Sequence, residues 1–145
     1  WSTSLTLYPD GSFQGTYAGN EAVAGESYPR GTVYICRFSG KFGDIRETGE
    51  YSFSMGLAEL DYETEEEAVW IEDGFRFIGA GAVGLEEGEE FIFYLPGVSM
   101  AELEEDFVTW SPDYYLWKNG GIENLSAYGI YNVEAECGFF TNWGD

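Results

Sequence analysis

Twenty-seven carboxylates and no histidine set the range of chemistry open to this chain. Without an imidazole there is no Ser–His or Cys–His nucleophile and no His-ligated zinc or haem. Catalysis would fall to carboxylates, Tyr, Lys or a carboxylate-held metal. A glycosidase needs two acids facing each other about 5–10 Å apart across a cleft. The spacing of the acids singles out no such pair, so a carboxylate-dependent hydrolase stays an alternative and no catalytic residue is named. Asp61, Glu63, Glu65, Glu66 and Glu67, and again Glu86, Glu87, Glu89 and Glu90, offer the oxygens that calcium takes. Neither stretch has the Asp/Asn-rich, Gly-punctuated spacing of a calcium loop, and both read as solvated faces. No metal site and no cofactor is expected.

Three further patterns bear on chemistry. Gly79, Gly81 and Gly84 spell G-x-G-x-x-G after a strand. A dinucleotide fingerprint should then open a helix, but a turn and another strand follow, and acids crowd the place of a pyrophosphate. The segment SPDYYLWKNGG (111–121) is framed by Pro112 and Asn119-Gly120-Gly121 and reads as a loop. Its Tyr114, Tyr115 and Trp117 are the candidate ligand-binding residues, a stacking platform for sugars or peptides with Asp113, Lys118 and Asn119 as polar partners. The alternative is that these rings fold back onto the core. Asn124-Leu125-Ser126 is an N-glycosylation acceptor pattern, relevant only in a eukaryotic secretory host.

The two cysteines, Cys36 and Cys137, lie in the alternating segments TVYICRFSGKF and YNVEAECGFF, and both thiols are read as pointing inward. If their strands are neighbours, a Cys36–Cys137 disulfide follows. It would close a loop of about a hundred residues, stabilising the chain by roughly 4–5 kcal/mol in the chain-entropy model. The alternative is two buried thiols behaving as small hydrophobes.

The elements that must position these groups are mostly strands. Leu5 and Leu7 alternate inward, Pro9-Asp10-Gly11 turns, and Phe13, Gly15 and Tyr17 share the next face, a hairpin pattern. EYSFSMGLAEL, FRFIG after Asp73-Gly74, EEFIFYL and AYGIYNVEAEC read as further strands. Ser99 and Glu102 form a capping box before a helical face of Met100, Leu103, Phe107 and Trp110, which Pro112 ends. The reading is mainly β, an antiparallel barrel or sandwich of about seven or eight strands with one α-helix near residues 100–110. No repeat or change of composition divides the 145 residues, so a single β domain over 1–145 is expected.

The formal charge of −21 repels phosphate backbones and anionic membrane surfaces, which argues against nucleic-acid and lipid-surface partners. A small molecule, glycan or peptide remains. No apolar run approaches the ~20 residues that span a bilayer. The chain opens on Trp1 rather than Met, so an upstream segment is expected.

YPDGSFQGTY, YPRGTVYICRFSGKF, EYSFSM, GLEEGEEFIFYLPG, SMAELEEDFVTW and YGIYNV, in that order, resemble a pattern in uncharacterised extracellular lipoproteins of Gram-positive gut bacteria. The resemblance implies an extracellular domain tethered to the cell surface through a lipid upstream of residue 1. It carries over no functional residues. In fold the chain also resembles lipocalin-type barrels, but the short G-x-W signature of true lipocalins is missing, so their ligand chemistry does not carry over. The functional expectation is a non-catalytic ligand-binding domain. A structural or interaction module of a surface assembly is the alternative from a different class.

Overall fold

The computed structural model describes residues 2–86 and 88–141; Glu87 of the second acidic stretch lies outside them. The protein is mainly β. Its strands are β1 (Ser2–Leu7), β2 (Ser12–Glu21), β3 (Gly31–Gly49), β4 (Ser52–Tyr62), β5 (Val69–Glu72), β6 (Phe75–Gly79), β7 (Glu90–Tyr94), β8 (Gly129–Asn132) and β9 (Cys137–Phe140). They are hydrogen-bonded in the order β1-β2-β3-β4-β7-β8-β9, with β6 joined to β3 and β5 to β6. Of the pairings described residue by residue, only β3–β6 is parallel.

The contacts gather into two compact units. Residues 2–42 and 58–86 form the first; 43–57 and 88–141 belong to the second. The β1–β2, β2–β3, β3–β6 and β5–β6 ladders lie in the first unit, and β4–β7, β7–β8 and β8–β9 in the second.

Turn chemistry sets the hairpins of the first unit. Between β1 and β2, Asp10 Oδ1 accepts from the Ser12 N–H (2.9 Å) and hydroxyl (2.5 Å), and Gly11 takes φ +89°. These two donors hold the Asp10 carboxyl below its usual range. Between β5 and β6, Asp73 (φ +53°) and Gly74 (φ +83°) make the two-residue turn whose twist suits a hairpin. The core beneath is aromatic. Phe13, Phe38 and Phe42 are buried, with Phe13 centred 4.8 Å from Phe42 and 6.2 Å from Phe38. Two of these rings have a glycine directly across the ladder: Phe13 faces Gly40, and Phe38 faces Gly15. The rings lie over the bare backbone of these glycines, taking the space a side chain there would need.

The second unit has a core of Val98, Met100, Leu103, Phe107, Val108, Leu125 and Tyr131. Phe107 is fully buried, with ring centroids of Phe140, Tyr94 and Tyr131 at 4.6, 5.1 and 5.2 Å.

The expected helix over 100–110 is interrupted. A 3₁₀ turn covers Met100–Glu102, Leu103 and Glu104 are extended, and α1 (Glu105–Thr109) follows. Ser99 makes no side-chain cap, so the capping box does not form. Its backbone is instead bridged to Asn124, and the Met100 N–H donates to the Glu123 carbonyl at 3.0 Å. These tertiary bonds hold the segment's start extended, and four acids within five positions weaken any pull toward one continuous helix. Met100, Leu103 and Phe107 still reach the core, whereas Trp110 is nearly half exposed.

No Cys36–Cys137 disulfide exists; the two thiols are not bonded to each other. The expectation required neighbouring strands, and β3 and β9 are not neighbours: Cys36 lies opposite Tyr17 of β2, and Cys137 opposite Asn132 of β8. AYGIYNVEAEC is not one strand either. The chain reverses after Asn132, whose Oδ1 accepts from the Ala135 N–H at 3.1 Å, and Glu136 takes φ +55° before β9 begins. Cys36 is fully buried, and burial followed by Glu86 and Glu66 pushes its thiol up to about 11. It should resist alkylation near neutral pH. Accordingly, the melting temperature should be the same with and without a thiol reductant; a clear fall on reduction would restore the disulfide.

Candidate functional site

The segment 111–121, expected as a loop, holds a short helix over 114–118 between turns. α2 (Tyr114–Lys118) is one and a half turns long, closed by local bonds at its C-terminal end and tied to a distant segment at its start. At its C-terminus Gly120 takes φ +77°, its N–H donates to the Trp117 carbonyl (3.0 Å), and the Gly121 N–H donates to the Leu116 carbonyl (2.7 Å). This is the Schellman pattern, so the glycines that read as loop residues serve as the helix stop. At the other end Asp113 is buried. Its N–H donates to Ser111 Oγ (3.0 Å), and its Oδ2 accepts from the Ser126 N–H (2.8 Å) and hydroxyl (2.6 Å). Asp113 therefore pins α2 to the strand-bound segment near Ser126, and is not a free partner for a ligand. The same bonds engage the hydroxyl of the Asn124-Leu125-Ser126 acceptor pattern.

Helical spacing divides the aromatics. Tyr114 and Trp117, three positions apart, share the face packed against the core of Val98, Met100, Leu103, Phe107, Val108, Leu125 and Tyr131 and are half-buried. Tyr115 and Leu116 point to solvent, 77% and 55% exposed. Tyr115 meets Tyr114 edge-on at 5.3 Å, and Lys118 Nζ sits 5.1 Å from the Trp117 ring centre and 5.8 Å from that of Tyr114. The structure brings the three candidate rings together on one short helix. Tyr114 and Trp117 are anchored and Tyr115 is presented, with a cation held over the anchored pair. Leu116 was missed by the sequence reading. Its signal was the i, i+3 pairing of Tyr114 and Trp117, which turns 115 and 116 outward once the segment is read as helix.

Two depressions lie elsewhere. In the first unit, Ser4, Thr6, Gln14, Thr16, Arg37 and Glu63 are among those bordering an open hollow of about 420 Å³. In the second, Asp44, Ser54, Met55, Gly56, Glu89 and Glu90 line one of about 240 Å³. Both are open to solvent, and neither is lined by Tyr114, Tyr115 or Trp117.

The acidic stretches do not converge. Asp61, Glu63, Glu65, Glu66 and Glu67 are each exposed along the end of β4 and the turn after it. Among the described residues no three acids or thiols are placed to hold a metal ion together. The G-x-G-x-x-G stretch has a packing role: a Cβ at Gly79 would strike the Glu65 carbonyl, and one at Gly81 the Glu86 carboxylate. Glu86 is held there by the Tyr62 hydroxyl (2.9 Å), whose pKa burial pushes up to about 12, so that the phenol keeps its proton.

No family model, curated protein or solved structure matches the chain.

Proposed function

We propose that this chain is a non-catalytic binding domain of a bacterial cell-surface lipoprotein, held outside the cell by a lipid upstream of residue 1, and that α2 is its contact surface. The observation that carries this reading is Tyr115 and Leu116 standing exposed on a helix whose other face is locked into the core. Exposed apolar side chains on a rigid support are the composition of an interface centre. Neither hollow is lined by residues of α2, and small molecules bind where a concavity can bury most of their surface. A glycan chain or a peptide, which can lie across an exposed helix face, fits better. Tyr115 supplies a ring face for stacking, and Lys118, over Trp117 and Tyr114, a donor on the same helix.

The test is the melting temperature of the chain against glycans, peptidoglycan fragments and peptides. A ligand of the folded state at a hundredfold its Kd adds about 2.7 kcal/mol, a rise of several degrees for a chain of this size. Tyr115→Ala should leave the ligand-free melting temperature unchanged, because the side chain is exposed, and weaken binding about tenfold or more. A ligand that binds the variant as tightly as the parent would remove α2 as the contact surface.

A further inference from the structure

The first unit carries a second surface of a different kind. β5 pairs with β6 alone, so among the described residues its other edge has no strand beside it. The Asp73-Gly74 turn fixes which backbone groups face that edge. In a two-residue hairpin the flanking pair, Glu72 and Phe75, exchanges hydrogen bonds, and bonded pairs then alternate along the ladder. Trp70–Phe77 is the next such pair, and the bond from the Gly79 N–H to the Ala68 carbonyl (2.8 Å) continues the series. The N–H and C=O groups of Val69 and Ile71 therefore point away from β6. Their side chains share one face and are 62% and 50% exposed. Trp70, on the opposite face, stacks on Phe77 at 5.4 Å and keeps the strand rigid.

Edge strands are commonly blunted by a proline, a lysine or a covering loop. β5 has neither of the first two. It has acids at both ends: Glu65, Glu66 and Glu67 before it, and Glu72 and Asp73 after it, all exposed. None of these carboxylates is in an ion pair, since Arg46–Asp44 is the salt bridge found among the described residues. Arg30 lies over Phe75 at 4.5 Å and donates from Nη1 to the Asp73 backbone carbonyl at 3.2 Å, leaving the Asp73 carboxylate unpaired, and Arg76 lies over Tyr28 at 4.6 Å.

We infer that β5 is a docking edge for an extended peptide segment of a partner protein, with apolar residues at alternate positions and Lys or Arg at both ends. The segment adds a strand to β5, bonding to the outward groups of Val69 and Ile71. Its apolar side chains cover those two, and its terminal cations meet Glu65–Glu67 and Glu72–Asp73. The paired acidic ends set this chemistry. They also oppose a second copy of this chain, whose own β5 would bring the same charges.

The test uses the intact chain, isotopically labelled, titrated with a short peptide alternating Val and Thr with two lysines at each end. The expected result is saturable binding with the largest amide shifts at Val69 and Ile71, weakening as salt is raised. Methylating alternate backbone nitrogens of the peptide, or exchanging its lysines for aspartates, should cost about tenfold or more in affinity. Ile71→Thr, which keeps a β-branched residue on the exposed edge and should preserve the fold, should weaken binding severalfold. Absence of saturable binding, indifference to N-methylation, shifts centred on α2, or self-association of the chain in place of peptide binding would each overturn the inference.

Discussion

Phe107→Ala is expected to lower the stability of the protein by about 3–5 kcal/mol. Phe107 is fully buried and is the common neighbour of Tyr94, Tyr131 and Phe140. Its ring also lies against Gly129 and Gly138 of β8 and β9, whose missing side chains make the space it fills. Removing the ring leaves a cavity that cannot collapse easily, because its walls are paired strands on one side and α1 on the other. Domains of this size are stable by only about 5–15 kcal/mol, so this single change consumes a large share of the margin. Denaturant melts of parent and variant, compared at the midpoint, measure it. A loss under about 1 kcal/mol would mean that the ring is not the centre of this core.

Gly40→Ala is the second large effect, and its cause is the reverse, too much matter in place of too little. A Cβ at Gly40 would strike the backbone carbonyl of Glu59 and come within 2.5 Å of the Phe13 ring. A backbone oxygen in a ladder cannot swing aside, so either the strands separate or Phe13 leaves its rotamer. The expected cost is about 1–3 kcal/mol, toward the upper end because two neighbours are struck. Gly56→Ala in β4 is the matched comparison: its new methyl would meet nothing closer than 3.8 Å. That change should be neutral or slightly stabilising through the unfolded chain. Equal losses in the two variants would show that the cost belongs to glycine's place in strands generally and not to the contact with Glu59.

Much of the β architecture was legible because period-two alternation survives in long strands. Phe13, Gly15 and Tyr17, and Tyr51, Phe53 and Met55, display it plainly, and Asp10-Gly11 and Asp73-Gly74 announce their turns by chemistry. What was not legible depended on partners distant in sequence. The backbone of 123–125 competes with helix formation at Ser99 and Met100, and nothing in SMAE announces that contact. The cysteines were judged by the direction of their faces, but a disulfide depends on which strands are neighbours, and AYGIYNVEAEC hid a reversal at Asn132. At the candidate site the residue types were readable and the conformation was not. Asn119-Gly120-Gly121 suits a loop and a helix stop equally, and only the bonds back to Leu116 and Trp117 separate the two. The buried pairing of Asp113 with Ser126 was likewise invisible, since an aspartate beside aromatics reads as a ligand contact until its partner is known.

The interleaving of the two units has a consequence for how the chain acquires its structure during synthesis. Every residue of the first unit has been made once residue 86 is made, so that half can close while the ribosome is still working. Residues 43–57, which lie between its two stretches in sequence, belong to the second unit and cannot. Phe53 and Met55 of β4 pair with Phe93 and Phe91 of β7, and β7 in turn waits for β8, nearly forty positions further on. The β4 face of Phe53 and Met55 is thus left without β7 until residue 94 is made, and β7 without β8 until the C-terminal third of the chain arrives. The exposure of that face sets the interval in which a nascent chain is most open to misassociation, and there a chaperone or export factor would find the most to hold.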